Sequence, residues 1–134
     1  MRGAYEHAAL VAEMAALLWP WAREGARGRV GVGWAFHTDG STTTPDVTLE
    51  WCAPEAHTVA VEVLAAHDRR ADVDERVRFY LRAGAAAVAV VDPATETFAI
   101  HERTGSRVWR AGQAVTHALL PCIDVATLFE SARS

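Results

Sequence analysis

Two carboxylates, Asp46 and Glu62, stand where a folding core would not ordinarily place them. Glu62 interrupts the run VAVEVL, with Ala60 and Leu64 two residues to either side. Asp46 opens a second run, in which Val47, Leu49 and Trp51 alternate with Thr48 and Glu50. Alternation with a period of two puts each set on one face of a strand. If the runs pair as an antiparallel hairpin turning near Pro54, Trp51 opposes His57, and counting outward brings Asp46 opposite Glu62. Directly opposed side chains have Cβ atoms about 4.5–5.5 Å apart, where like charges destabilise the pair. A cation is the natural third party. Two carboxylates and a backbone carbonyl offer the hard oxygen donors that suit Mg²⁺ or Mn²⁺. A slip of one residue would send the two acids to opposite faces and end the argument.

The elements that hold this pair follow from the next residues. Val73, Val77, Tyr80, Leu81 and Gly84 recur at helical spacing as an apolar stripe. Arg76 falls on the edge of that stripe and can lean toward the sheet, whereas Arg78 points more to solvent. Asp72, one turn earlier, is placed to hold Arg76 by an i, i+4 pair. Gly84 suits the residue just past the helix end. An Asp, a Glu and a cation at one sheet edge form a constellation used in phosphodiester hydrolysis. Arg69, Arg70, Arg76, Arg78 and Arg82 cluster on this segment and make the best basic patch in the chain. For Arg78 and Arg82 a solvated helical face is the plainer reading.

PDV, then VEVL, then a charged helix carrying RVRFYLRAG, then VAVVDP, in that order and spacing, resembles the Uma-two family of restriction endonucleases. That family lies within the PD-(D/E)XK nuclease superfamily. The resemblance covers roughly residues 44 to 102. It implies that Asp46 and Glu62 bind metal, that Val63 offers its carbonyl to the same ion, and that Arg76 stands where the family carries a lysine on the helix. The superfamily's usual lysine would sit two residues after the glutamate, where this chain has Leu64. A segment of small residue, Pro and Ser after the glutamate strand is replaced by Ala65, Ala66 and His67. The superfamily also sometimes brings a first-helix glutamate to the metal through water. Glu6 and Glu13 are the candidates here, and a surface position is the plainer reading of both. His7 reads as a packed or boundary histidine.

Length and composition set the frame. A chain of 134 residues with 51% hydrophobic and 22% charged residues is expected to form one domain around a single core. Its net charge of −4 supplies no global attraction for nucleic acid, which is bound through basic contacts. Binding would have to come from a local patch, Arg69 and Arg70 foremost, or from the groove of a homodimer. Cys52 and Cys122 match no zinc spacing or disulfide framework, and each is expected to pack as a small hydrophobe in a reducing cytoplasm. The apolar N-terminal run is broken by Glu13, and no small-residue cleavage site follows. No stretch approaches the length of a membrane span, so no membrane partner is expected.

Along the chain, residues 5 to 24 read as a helix with His7, Leu10, Val11, Met14, Leu17, Leu18 and Trp21 at helical spacing. Pro20 is expected to end or kink it, with Trp19 and Trp21 packed around that point. Residues 25 to 28 read as a loop and Arg29 to Thr38 as one strand. Asp39-Gly40-Ser41 then forms a hairpin turn into the Asp46 strand. After Gly84 comes a fully apolar, hence central, strand at 86 to 91. Asp92-Pro93 turns into a strand at Thr97–Glu102, and Thr104-Gly105-Ser106 turns into Arg107–Arg110. A capped helix at Asp124–Ser131 closes the core through Val125, Leu128 and Phe129.

The sequence lacks HExxH, GxSxG and P-loop patterns, and its GVG at 31 to 33 has no third glycine. The resemblance implies an α/β fold, a restriction-endonuclease-like mixed sheet flanked by helices, over residues 1–134. The expected activity is Mg²⁺- or Mn²⁺-dependent hydrolysis of nucleic acid, DNA in particular. Asp46 and Glu62 hold the metal, and Arg76 stabilises charge on the phosphate. The rival reading is a nuclease-fold binding or scaffold protein that no longer cuts, supported by Leu64, Arg76 and the acidic net charge.

Overall fold

The structure is a computed structural model that describes residues 2–24, 28–38, 40–52 and 55–133. Most of the loop read at 25 to 28, Asp39 of the expected turn, and Pro54 at the hairpin tip lie outside those residues. Six strands form the main sheet: β1 (Gly28–Gly31), β4 (Val47–Trp51), β5 (His57–Val63), β6 (Ala87–Asp92), β7 (Thr97–Glu102) and β8 (Gly105–Arg110), side by side in that order. β5 and β6 run parallel and every other neighbouring pair is antiparallel. The parallel step needs a crossover, and α2 (Arg70–Arg82) provides it. The sheet is thus mixed and flanked by helices, as the family resemblance implied.

Both faces of the middle strands are buried, which is why VAVEV in β5 and AVAVV in β6 are nearly free of polar residues. On one face, Val47, Leu49, Val59, Val61, Val63, Ala87, Ala89 and Val91 meet α1 (Arg2–Arg23) and α3 (Val125–Arg133). From α1 come Leu10, Met14, Leu18 and Ala22, at spacings of four that line one stripe of the helix. Val125, Leu128 and Phe129 of α3 are buried there as expected, with Asp124 accepting the Thr127 N–H at 2.9 Å as its N-cap. On the other face, Val73, Val77, Phe79 and Tyr80 of α2 pack over Ala60, Val88 and Val90. There are accordingly two apolar layers rather than the single core expected from chain length.

Several local expectations are corrected. Arg29 to Thr38 is not one strand: β1 ends at Gly31, and β2 (Phe36–Thr38) pairs with β3 (Ser41–Thr43) in a separate two-stranded sheet. The reason is at Gly31 and Gly33. A Cβ on Gly31 would lie 1.9 Å from the Trp34 ring, and Gly33 has φ of 81°, so the chain folds back over itself there. The turn at Gly40 therefore leads into β3, not directly into β4. Helix α1 continues past Pro20 to Arg23. Trp21 packs edge-on to Trp51 with ring centroids 4.7 Å apart, but Trp19 is 49% exposed beneath the Arg23 guanidinium, and Leu17 is exposed as well. Cys52 and Cys122 are both exposed thiols rather than packed ones. A further hairpin, β9 (Ala114–His117) with β10 (Leu120–Asp124), went unread in the sequence.

Candidate metal centre

The β4–β5 ladder has the register that the residue pattern implied: Trp51 opposes His57 and Val47 opposes Val61. One step beyond the last ladder pair, Asp46 comes level with Glu62. Its carboxylate is tied to the neighbouring strand, because Oδ2 accepts the Val63 N–H at 2.8 Å. Glu62 lies on the α2 face, between Ala60 and Leu64, and is 7% exposed. Buried carboxylates require partners. Tyr80 on α2 donates its hydroxyl hydrogen to Glu62 Oε1, and the Arg76 guanidinium approaches the other oxygen, with Nε 3.7 Å from Oε2. Arg76 and Tyr80, four residues apart, share the helix face turned to the sheet.

Arg76 leans inward as its stripe position suggested, but it does not pair with Asp72. Its Nη2 donates to Asp68 Oδ1 at 3.3 Å. Asp68 is itself fixed by the Ala65 N–H, 2.7 Å from its other oxygen. The link after β5 turns tightly at that point, which puts Asp68 nearer to the guanidinium than a residue one helical turn away. The i, i+4 pair on this helix is instead Arg70 with Asp74, at 3.4 Å. Arg69, Arg70, Arg78 and Arg82 are exposed.

The electrostatics are those of crowded negative charge in a dry place. Burial pushes the Glu62 carboxyl up to about 7 from an ordinary 4.5. The Tyr80 hydrogen bond opposes that rise, the nearby Asp46 charge adds to it, and Arg76 and Asp68 act in opposite directions more weakly. Tyr80 is held far above the usual tyrosine range, by burial first and then by its bond to Glu62, so it remains a donor. Arg76 Nε is buried without a hydrogen-bond partner. An orphaned donor facing a carboxylate at 3.7 Å, beyond hydrogen-bonding range, marks a site whose polar groups are incompletely satisfied.

This donor set fits a small hard cation. Mg²⁺ is commonly held by one or two carboxylates and keeps several of its waters, and Asp46 and Glu62 supply two such groups at one end of the β4–β5 ladder, inside the sheet and not at the edge the sequence suggested. Among the described residues, no three His, Cys, Asp or Glu side chains form a ready-made cage. Leu64, where the superfamily lysine would stand, packs against the α2-side core. Neither Glu6 nor Glu13 is brought to this site by a hydrogen bond or ion pair. The first helix delivers His7, with Nε2 3.5 Å from Asp46 Oδ2.

Sequence reasoning missed Tyr80 and Asp68. Tyr80 carried a usable signal, since a buried tyrosine hydroxyl needs a partner and Glu62 was the buried acid lacking one. Asp68 carried none, because its role depends on how the link before α2 turns.

The family profile described as "Uma2: Putative restriction endonuclease" matches residues 1–121. Among solved structures, one described as "a putative nuclease belonging to DUF820" from Anabaena variabilis superposes with a TM-score of 0.83 at 14% identity, covering 95% of this chain and 82% of that one. The chain also resembles part of a structure of a DrdV–DNA complex, with a TM-score of 0.54 at 18% identity, over 88% of this chain and 11% of that one. Among curated proteins, none matches the sequence significantly.

Proposed function

Because the chain belongs to the Uma2 family of restriction endonucleases, we propose that it is a metal-dependent endonuclease that hydrolyses phosphodiester bonds of nucleic acid, with DNA as substrate. The observation that carries this reading is the register that sets Asp46 level with a buried, charge-frustrated Glu62 at one end of the β4–β5 ladder. On this reading residues 1–134 act as one catalytic domain, and Asp46, Glu62 and the Val63 carbonyl hold Mg²⁺ or Mn²⁺. Bound there, the cation supplies charge neutralisation at the phosphate and acidifies water beside it.

The chain's own groups do the rest. Tyr80 keeps one Glu62 oxygen occupied and leaves the other, 3.7 Å from Arg76 Nε, for the cation. Arg76 holds a permanent positive charge beside the carboxylates and presents donors to a phosphate, whose developing charge a guanidinium stabilises well. It accepts no proton, since it stays protonated, and its part is confined to charge stabilisation. Arg69 and Arg70 contact the nucleic-acid backbone at the mouth of α2.

The second reading, a nuclease fold that binds without cutting, is favoured by Leu64 and by a Glu62 already engaged by Tyr80 and Arg76. A plasmid-nicking assay with Mg²⁺ or Mn²⁺ separates the two. Wild type is expected to nick and Asp46→Asn to lose at least about a hundredfold, the scale of losing a group used in the transition state. Equal nicking by both proteins would place the chemistry elsewhere; binding without nicking by wild type would favour the second reading.

A further inference from the structure

Resting on the nuclease reading above, we propose that the cavity between α2 and the open face of β6, β7 and β8 receives one unstacked nucleobase of the substrate. The protein would then take unpaired or extruded nucleotides in preference to a regular duplex. The cavity holds about 490 Å³, within the range of small-molecule sites. Its near wall includes Leu64, next in the chain to Val63, and Asp68, the partner of Arg76. It therefore opens beside the candidate metal centre. Helix α2 covers Val88 and Val90 of β6 but leaves Val108 of β8 44% exposed.

The sheet register sets out what a base would meet there. Val90, Ala99 and Val108 are successive cross-strand partners and form one apolar row across the three strands. Asp92, Thr97 and Arg110 form the next row on the same face, and His101 and Ser106 lie in the row on the other side. Residues two apart along a strand are separated by about 6.5–7 Å, so a flat ring on the apolar row has polar groups along both of its edges. Those groups are already oriented. Asp92 accepts the Ala94 N–H at 2.9 Å and the Thr95 hydroxyl at 3.0 Å, and each oxygen keeps a lone pair for an amino group. His101 Nδ1 is engaged with the Ser106 hydroxyl at 2.7 Å, which leaves Nε2 to a ligand, and burial holds the imidazole below its ordinary value, hence neutral. Arg110 brings a donor fork of the kind that reads the carbonyl and ring nitrogen of a purine. The balance of charge favours a base over a phosphate, because Asp68, Asp74 and Asp92 line the cavity with only Arg70 and Arg110 against them. A paired base reaches such a cavity only by leaving its stack, and an unpaired one is spared that cost.

The test is binding of the full chain, in chelator so that nothing is cut, to three labelled DNA probes of equal length, read by fluorescence anisotropy. The probes are a single strand of mixed sequence, the same backbone with every base removed, and the matched duplex. Wild type is expected to bind the single strand at least about tenfold more tightly than the abasic strand, the scale of hiding one base face from water, and more tightly than the duplex. Ala99→Leu fills the cavity from its floor. It should bring single-strand affinity down to the abasic level while abasic binding and the melting temperature stay as in wild type. Val108→Gln, at a half-exposed position, serves if the leucine variant is unstable, and it too should lose the preference. Equal binding of single and abasic strands by wild type, tighter binding of the duplex, or a preference that both variants keep overturns the inference. In that case metal-dependent nicking that is lost in Asp46→Asn still upholds the nuclease reading. If no probe binds, the inference falls, and if wild type also fails to nick, the nuclease reading falls with it.

Discussion

Glu62 takes up a proton on folding, because burial raises its carboxyl from 4.5 to about 7. For a raised carboxyl, the associated stability is fully present below the unfolded value of 4.5 and is lost as pH rises through about 7. The full shift corresponds to about 3 kcal/mol, and solvent relaxation leaves about 1–2. Denaturant melts in chelator at pH 5 and pH 8 should show that loss for wild type. Glu62→Gln keeps the shape and the Tyr80 hydrogen bond without the charge, so its stability should vary less across the window and exceed wild type at pH 8. Millimolar Mg²⁺ or Mn²⁺ should reverse the order at pH 8, since an ion that binds only the folded protein stabilises it by mass action and the glutamine variant has lost a ligand. If glutamine is the less stable at pH 8 in chelator and metal moves neither protein, Glu62 serves the fold alone.

Elements carry their own constraints, and β1 is the sharpest case. Gly31 allows the Trp34 ring to lie against the strand, with Arg29 over that ring at 5.4 Å. Arg29 also donates to Glu50 Oε1 at 2.6 Å, tying β1 to β4. Gly31→Ala would drive a methyl group into the ring, so Trp34 must move. Overpacking of that kind destabilises by about 1–3 kcal/mol, readable as a lower urea midpoint and a change in tryptophan fluorescence. An unchanged midpoint would mean that Trp34 swings away freely and that the strand ends at Gly31 for another reason. Helix α2 shows the opposite economy: one face supplies core contacts through Val73 and Val77 and site contacts through Arg76 and Tyr80.

At the scale of the whole molecule, a net charge of −4 opposes binding to a polyanion, so affinity must be local. Among the described residues, no helix is long and apolar enough to cross a membrane. Arg69 and Arg70 are exposed at the start of α2, on the element that also presents Arg76. Each phosphate contact adds about 0.9 to the slope of log affinity against log salt on duplex DNA. Arg69→Ala with Arg70→Ala should therefore weaken DNA binding and flatten that slope by about 2, with little change in melting temperature. An unaltered slope would move the contact surface away from this end of α2.

The β4–β5 register, the central place of β6, the apolar stripe of α2 and the Asp46–Glu62 juxtaposition were all legible in the sequence. Each follows from a short-range rule: alternation with a period of two, a helical stripe, and a side-chain set that cannot change face without exposing valines. Other features depended on how separate segments meet. The division of Arg29–Thr38 between two sheets rests on Trp34 folding back onto Gly31, and the exposure of Cys52 and Cys122 on what the sheets leave uncovered. Asp68 displaces Asp72 as the partner of Arg76 because of a turn whose shape no periodicity encodes. His7 meets Asp46 only because α1 packs across the strands that carry it. Contacts of this kind depend on distances between elements far apart in the chain, and only the packed tertiary structure sets those distances.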